Sequence, residues 1–263
     1  MARPALAGCN VPAMKKPVIA ALALFFAAAF LAAPSGRAEP QGAAPVVVEL
    51  FTSQGCSSCP PADAYLRELA RDPGILALSM HVDYWNGLGW KDPFSNREVT
   101  LRQRDYVRRL GGHYTYTPQM VVMGRAQATG SNRADVARLI ARARAEAPPP
   151  PSIEIGHPSR DKLTIRIGAQ PFVGRATVWL LAYDSRHETK IPTGENRGKT
   201  LAYANVVRSI RSVGQWAGAA AEFSVDVAKE VNDGYENCAV IVQADGVGPI
   251  IGVSSMPMRV AAR

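Results

Sequence analysis

The sequence predicts two successive architectures: an α/β domain over residues 45–147, then a small antiparallel β-sandwich domain over residues 152–263. Three observations carry this expectation. Residues 46–147 alternate β-branched runs with helical stripes in the order βαβ, helix, ββ, helix. Four consecutive prolines, 148–151, then intervene; they cannot continue a helix and read as a stiff extended linker. Beyond them the apolar runs are short, several alternate with period two, and no long helical stripe recurs.

Each element has its own signal. Val46-Val47-Val48-Glu49-Leu50-Phe51 is a buried strand by its β-branched run. Pro60 and Pro61, with Asp63 soon after, start a helix that carries Tyr65, Leu66, Leu69 and Ala70 at helical spacing. Asp72-Pro73-Gly74 stops it, and residues 75–82 form a second strand. A helix over 96–110 places Val99, Tyr106, Val107 and Leu110 on one stripe and ends at Gly111-Gly112. Strands at 119–123 and 126–129 flank a turn at Gly124-Arg125, and Asn132 caps a last helix. The βαβ unit implies a parallel pair with a right-handed crossover, and the short turn an antiparallel one. After the prolines, strands are expected at 163–167, 176–183, 205–213, 222–227, 238–243 and 250–253.

Composition narrows the function. The 263 residues hold 30 Lys+Arg against 22 Asp+Glu, a formal charge of +8. The first 38 carry Arg3, Lys15, Lys16 and Arg37 and no acid, so the remainder stands at only +4. That small surplus argues for no nucleic-acid partner. Lys15 and Lys16 precede an apolar run to Ala33, followed by Pro34-Ser35-Gly36-Arg37-Ala38. This is the layout of a secretory signal peptide over 1–38, with cleavage near Ala38; an uncleaved anchor is the competing reading. The expectation is a periplasmic or secreted protein with no stable membrane insertion after cleavage, in an oxidising space where disulfides persist.

Cys56-Ser57-Ser58-Cys59 is the pattern that carries chemistry. It follows a strand and opens a helix, where unpaired backbone N–H groups and the positive dipole end favour a thiolate at Cys56. Each unit of pKa shift there is about 1.4 kcal/mol of preference for the charged form. Cys59, one turn on, is placed to close a disulfide and to resolve a mixed one. An inert structural disulfide and half a metal site also fit the spacing. However, a four-residue ring gains only about 2 kcal/mol in the chain-entropy picture, and no second C-x-x-C or paired-His motif accompanies it.

In Glu49-Leu-Phe-Thr-Ser-Gln-Gly-Cys-Ser-Ser-Cys-Pro-Pro-Ala-Asp63 and Thr117-Pro118 the chain resembles the thioredoxin fold. It resembles most a family of secreted bacterial thioredoxin-like proteins catalogued only as a domain of unknown function, over about 46–147 and again at Pro192-Thr-Gly-Glu-Asn-Arg-Gly198. The resemblance implies a cis-proline at Pro118 facing the cysteines, with Thr117 beside it, to hold a substrate peptide. It also implies that Glu49 is a buried acid relaying a proton to Cys59; a solvent-facing edge glutamate is the alternative. Ser57-Ser58 matches neither the Gly-Pro of reducing thioredoxins nor the Pro-His of oxidising ones, so the direction of electron flow stays open. Residues 81–93 are an insertion relative to a minimal thioredoxin; Tyr84, Trp85 and Trp90 either line a peptide groove or cover the core. Gln103 and Tyr106 are placed to buttress that loop, and Cys238 reads as a buried free thiol, with pairing between chains as the alternative.

The functional expectation is a thiol–disulfide oxidoreductase acting on protein or peptide thiols and disulfides, with no cofactor and no resident metal. The alternatives are a copper(I)-handling module using Cys56, Cys59 and His113, and a non-catalytic envelope binding protein. The sequence does not specify the oligomeric state.

Overall fold

The protein is described by a computed structural model over residues 44–258. The expected leader, with its cleavage near Ala38, lies outside these residues. Among the described residues no helix is long and apolar enough to cross a membrane.

Strand β1 (Val46–Thr52), helix α1 (Pro60–Leu69), β2 (Ile75–His81), α2 (Arg97–Arg109), β3 (Gln119–Val122), β4 (Ala126–Thr129) and α3 (Arg133–Ala145) follow one another as the sequence predicts. β1 and β2 pair in parallel, Val46 opposite Ile75 through Thr52 opposite His81. β3 lies antiparallel to β1 and to β4. Every residue of β1 and β2 is buried because helices cover both faces. Val48 and Leu50 face α1 and α3, packing with Ala62, Leu66, Val136 and Ile140. Val47 and Phe51 point the other way, against Val99 and Tyr106 of α2. Asn96 caps α2, its side chain accepting from the amides of Glu98 and Val99. The turn between β3 and β4 uses left-handed backbone at Met123 and Gly124 (φ 51° and 63°).

The second half departs from expectation. β5 (Ile153–Ser159), β6 (Lys162–Ile167), β7 (Ala176–Lys190), β8 (Thr200–Trp216), β9 (Ala221–Asp226), α4 (Ala228–Asn232), β10 (Asn237–Ala244) and β11 (Ile250–Pro257) do not form a separate domain. Four of these strands extend the first sheet into eight, in the order β11-β10-β7-β8-β2-β1-β3-β4. The remaining three, β5-β6-β9, form a small antiparallel sheet. The expected sandwich is therefore half right. Leu163, Ile165 and Ile167 of the small sheet pack on Val178, Leu180, Val240 and Val242, but that opposing layer is the main sheet itself.

The proline run is correspondingly not a free spacer. Pro151 is buried against β11, where a side chain at Gly252 would meet its ring at 3.1 Å, and the Pro149 carbonyl accepts from Gln170 Nε2 at 2.5 Å. The described residues fall within one compact unit.

The seam between the halves is the parallel contact of β2 with β8, centred on Ser79 opposite Val206. Beside it Asn205 adopts φ 49° and donates from Nδ2 to the Ala77 carbonyl at 2.8 Å, so one side chain satisfies a β2 acceptor where the ladder is interrupted. The β7–β8 hairpin then projects past the sheet. From the seam to its tip it buries Val206, Tyr203, Leu201 and Ile191 in one cluster with Trp90 and Phe94. This brings residues 189–199 to the end of β1 where the cysteines lie.

Candidate functional site

β1 ends at Thr52, and Ser53–Ser58 turn the chain into α1. Cys56 and Cys59 are joined as a disulfide, with Cα atoms 5.4 Å apart. The Cys56 amide donates to the Ser53 carbonyl (3.1 Å), and the Cys59 amide to the Cys56 carbonyl (3.3 Å). Ser57 and Ser58 are exposed, whereas both cysteines are fully covered at 0%.

The helix start differs from the expectation in one respect. Pro60 and Pro61 occupy its first positions and carry no N–H. The next two amides, of Ala62 and Asp63, both donate to the Cys59 carbonyl (2.9 and 3.1 Å). The unpaired N–H groups expected to favour a Cys56 thiolate are thus absent or occupied, and the helix dipole is what remains.

The Thr117–Pro118 bond is cis. Its segment faces the cysteines: Ser58 Oγ lies 3.4 Å from Cys56 Sγ and makes a long contact, 3.5 Å, to the Thr117 carbonyl. Trp85 Nε1 donates to Thr117 Oγ1 at 2.9 Å. Trp90 Nε1 donates to Gln54 Oε1 at 2.9 Å. Tyr84 packs on the α2 side of the core, its ring 6.3 Å from that of Trp85. These half-buried aromatics hold the loops around the disulfide; their indole N–H groups are committed to protein acceptors. Gln103 Nε2 donates to the Tyr116 carbonyl (2.7 Å), steadying the same segment from α2.

Glu49 is not beneath the cysteines. It points to the α2 side and accepts from Arg102 Nε (2.6 Å), Arg102 Nη2 (3.2 Å) and Tyr106 Oη (2.5 Å). Burial works against the Arg102 charge, but Glu49, Tyr106 and Asp105 together more than offset it and raise the Arg102 pKa. A carboxylate locked to a permanent cation is a structural ion pair, not a proton relay.

The acid on the disulfide side is Asp63, whose only mark in the sequence is that of a helix start. It is four residues after Cys59 on α1, so the two share a helix face. Its Oδ1 accepts from Thr52 Oγ1 at 2.7 Å, while Oδ2 is buried without a hydrogen-bond partner. Burial raises its pKa from 3.8 to about 7, opposed by the Thr52 hydrogen bond and by His81. His81 completes this polar patch, with Nδ1 2.6 Å from Asp92 Oδ2. Burial alone would raise the Asp92 pKa, but His81 and the amides of Gln54 and Phe94 together hold it below the usual carboxylate value.

A pH dependence follows from Asp63. Its folded-state pKa lies above its unfolded one, so the fold prefers the neutral carboxyl. Between pH 3.8 and about 7 the unfolded chain releases this proton while the native state retains it. Stability from this group is therefore greatest below pH 4 and falls as pH rises toward 7, by up to about 1.4 kcal/mol per pH unit. Asp63→Asn is expected to remove that fall and to be the more stable protein at pH 8. Urea unfolding of both proteins from pH 4 to 8 checks it; parallel curves would contradict it.

Asn196 lies in the Pro192–Gly198 stretch that carries part of the resemblance, but nothing in the sequence connects it to Cys56, 140 residues away. Its Nδ2 donates to the carbonyls of both Gln54 and Cys56, each at 2.9 Å. Cys238 is a buried free thiol as expected, and burial pushes its pKa up to about 12, which leaves it unreactive. Among the described residues no group of three His, Cys, Asp or Glu side chains converges as a metal site requires.

The fold and site define a mixed α/β protein with a large mixed sheet, a small second sheet, and a Cys-x-x-Cys disulfide at a helix head. The chain belongs to the family described as protein of unknown function DUF1223, whose model matches residues 47–243. Among solved structures it is similar to protein AGR_C_4864 from Agrobacterium tumefaciens, at 32% identity and a TM-score of 0.71, covering 84% of this chain and 97% of that one. It is also similar in fold to HBP35 of Porphyromonas gingivalis, at 13% identity and a TM-score of 0.57, covering 81% of this chain and 74% of that one. No curated protein matches the chain.

Proposed function

We propose that this protein is a thioredoxin-like thiol–disulfide oxidoreductase of the periplasm or the secreted space, acting on protein or peptide thiols through Cys56 and Cys59. The observation that carries the reading is the Cys56–Cys59 disulfide at the head of α1, set against the Thr117–Pro118 segment. A disulfide closing only a four-residue loop adds little stability, so chemistry is the better reason to keep it.

Acting as an oxidant, the site takes a substrate thiolate on Cys56 Sγ. The Cys56–Cys59 bond breaks, a mixed disulfide forms at Cys56, and Cys59 leaves as a thiolate. Asp63, neutral below about pH 7, supplies the proton that Cys59 takes up. A second substrate thiolate then attacks the substrate sulfur of the mixed disulfide and releases Cys56. The substrate loses two electrons and the cysteine pair gains them. Run backward, the same steps reduce a substrate disulfide, with Cys56 as nucleophile, Cys59 resolving and Asp63 as base.

The test is a trapping experiment. Reduced Cys59→Ser protein, offered a protein disulfide such as insulin, is expected to accumulate a mixed disulfide through Cys56. Its absence, with Cys56 freely alkylated, would contradict the proposal.

A further inference from the structure

The disulfide is fully covered, and a loop of the second half of the chain bonds directly to the turn that carries it. Gln54, just before the cysteines, has every polar group engaged. Its amide donates to Asp92 Oδ2 (2.8 Å) and its Nε2 to Thr189 Oγ1 (3.0 Å); its Oε1 accepts from Trp90 and its carbonyl from Asn196. Asn196 is itself 0% exposed although its neighbours Glu195 and Arg197 are exposed. Lys199 Nζ donates to its Oδ1 at 2.9 Å, which orients the amide so that Nδ2 faces the Gln54 and Cys56 carbonyls. The loop is also tied to the 85–94 segment. Thr193 Oγ1 donates to the Gly89 carbonyl at 2.6 Å. Gly194, at φ +78°, lies so close to Trp90 that an added Cβ would meet the Trp90 Cβ at 3.2 Å.

Disulfide exchange needs an incoming thiolate to reach a sulfur, and access governs its rate as much as pKa does. We propose that Asn196 is a positioning residue that clamps the 54–56 turn, and that the 192–199 loop it anchors gates thiol access to the Cys56–Cys59 disulfide. A partner must displace this loop before its sulfur can react. The clamp is a property of the disulfide itself; only its consequence, control of turnover, rests on the exchange reading above.

Dithiothreitol is the probe. One of its thiolates attacks a protein sulfur and opens the disulfide. Its second thiolate then closes the dithiothreitol ring and leaves Cys56 and Cys59 as two thiols. Oxidised wild type, Asn196→Ala, Asn196→Asp and Thr193→Ala are reduced under native conditions, quenched with a maleimide and counted by intact mass. Asn196→Asp keeps the size and the Lys199 contact but loses both N–H donors. Loss of two hydrogen bonds is expected to speed native reduction about tenfold or more in both Asn196 variants. Thr193→Ala, an exposed substitution that does not endanger folding, is expected to gain about two- to fivefold. Hydrogen exchange of the sheet amides is followed alongside. A variant that merely loosened the whole fold would raise exchange and reduction together, whereas clamp loss raises reduction alone.

Wild-type rates in Asn196→Asp and Thr193→Ala would overturn the clamp, as would a wild-type disulfide reduced as fast as in the urea-unfolded chain. A clamp that opens as expected in a protein that never forms the insulin mixed disulfide would overturn the exchange reading and leave the clamp standing.

Discussion

A Cys56→Ser protein is expected to lose exchange by at least about a thousandfold, the scale on which removal of a nucleophile acts. The reason is connectivity. Cys56 lies at the turn that Ser58, Thr117 and Asn196 surround, while Cys59 is the helix N-cap, its carbonyl capping the amides of Ala62 and Asp63. On the proposed function, this arrangement makes Cys56 the sulfur expected to meet a substrate and Cys59 the one expected to resolve. Fold stability should change far less, because the disulfide closes only a four-residue ring, worth about 2 kcal/mol in the chain-entropy picture. Insulin-reduction rates and urea midpoints, taken on the same preparations, check both parts. Full activity in Cys56→Ser would reject the assignment of roles.

The second large effect concerns Glu49 and separates structure from chemistry. Arg102→Met strands a buried carboxylate, and the expected loss is about 3–5 kcal/mol. Adding Glu49→Leu removes the stranded charge, and the double variant should recover most of that loss, because apolar replacement of a whole buried pair is often neutral. Tyr106 keeps a partner in Gln243, whose Nε2 donates to its hydroxyl at 2.9 Å. The double variant is expected to exchange thiols at the wild-type rate, since neither residue touches the cysteine side of β1. A proton relay at Glu49 would instead leave it stable and slow. Unfolding free energies for the full double-mutant cycle, with insulin turnover, decide between these outcomes.

How far the sequence speaks depends on how local each signal is. β1 to α3 were legible because β-branched runs, the Pro60-Pro61 start and the Asn96 and Asn132 caps are local features. β7 and β8 were read too short. Asp184–Lys190 and Thr200–Tyr203 are polar or mixed, and only their mutual pairing in a hairpin makes them strands. The junction of β2 with β8 has no local mark at all, so the main sheet appeared as two domains. The resemblance places Glu49 beneath the cysteines, yet strand alternation sends it to the α2 face with Val47 and Phe51. Asp63 was recoverable from its i+4 spacing to Cys59. Asn196 was not, because its role exists only once the hairpin tip reaches the cysteines.

The most direct measurement is a redox titration of the folded wild-type protein. It is equilibrated at graded ratios of reduced to oxidised dithiothreitol, alkylated without denaturant, and weighed. A single reversible transition that adds two alkyl groups, one at Cys56 and one at Cys59, is the result expected. A mass that never changes until the chain is unfolded would mean that these sulfurs exchange with nothing, and the enzymatic account would fail.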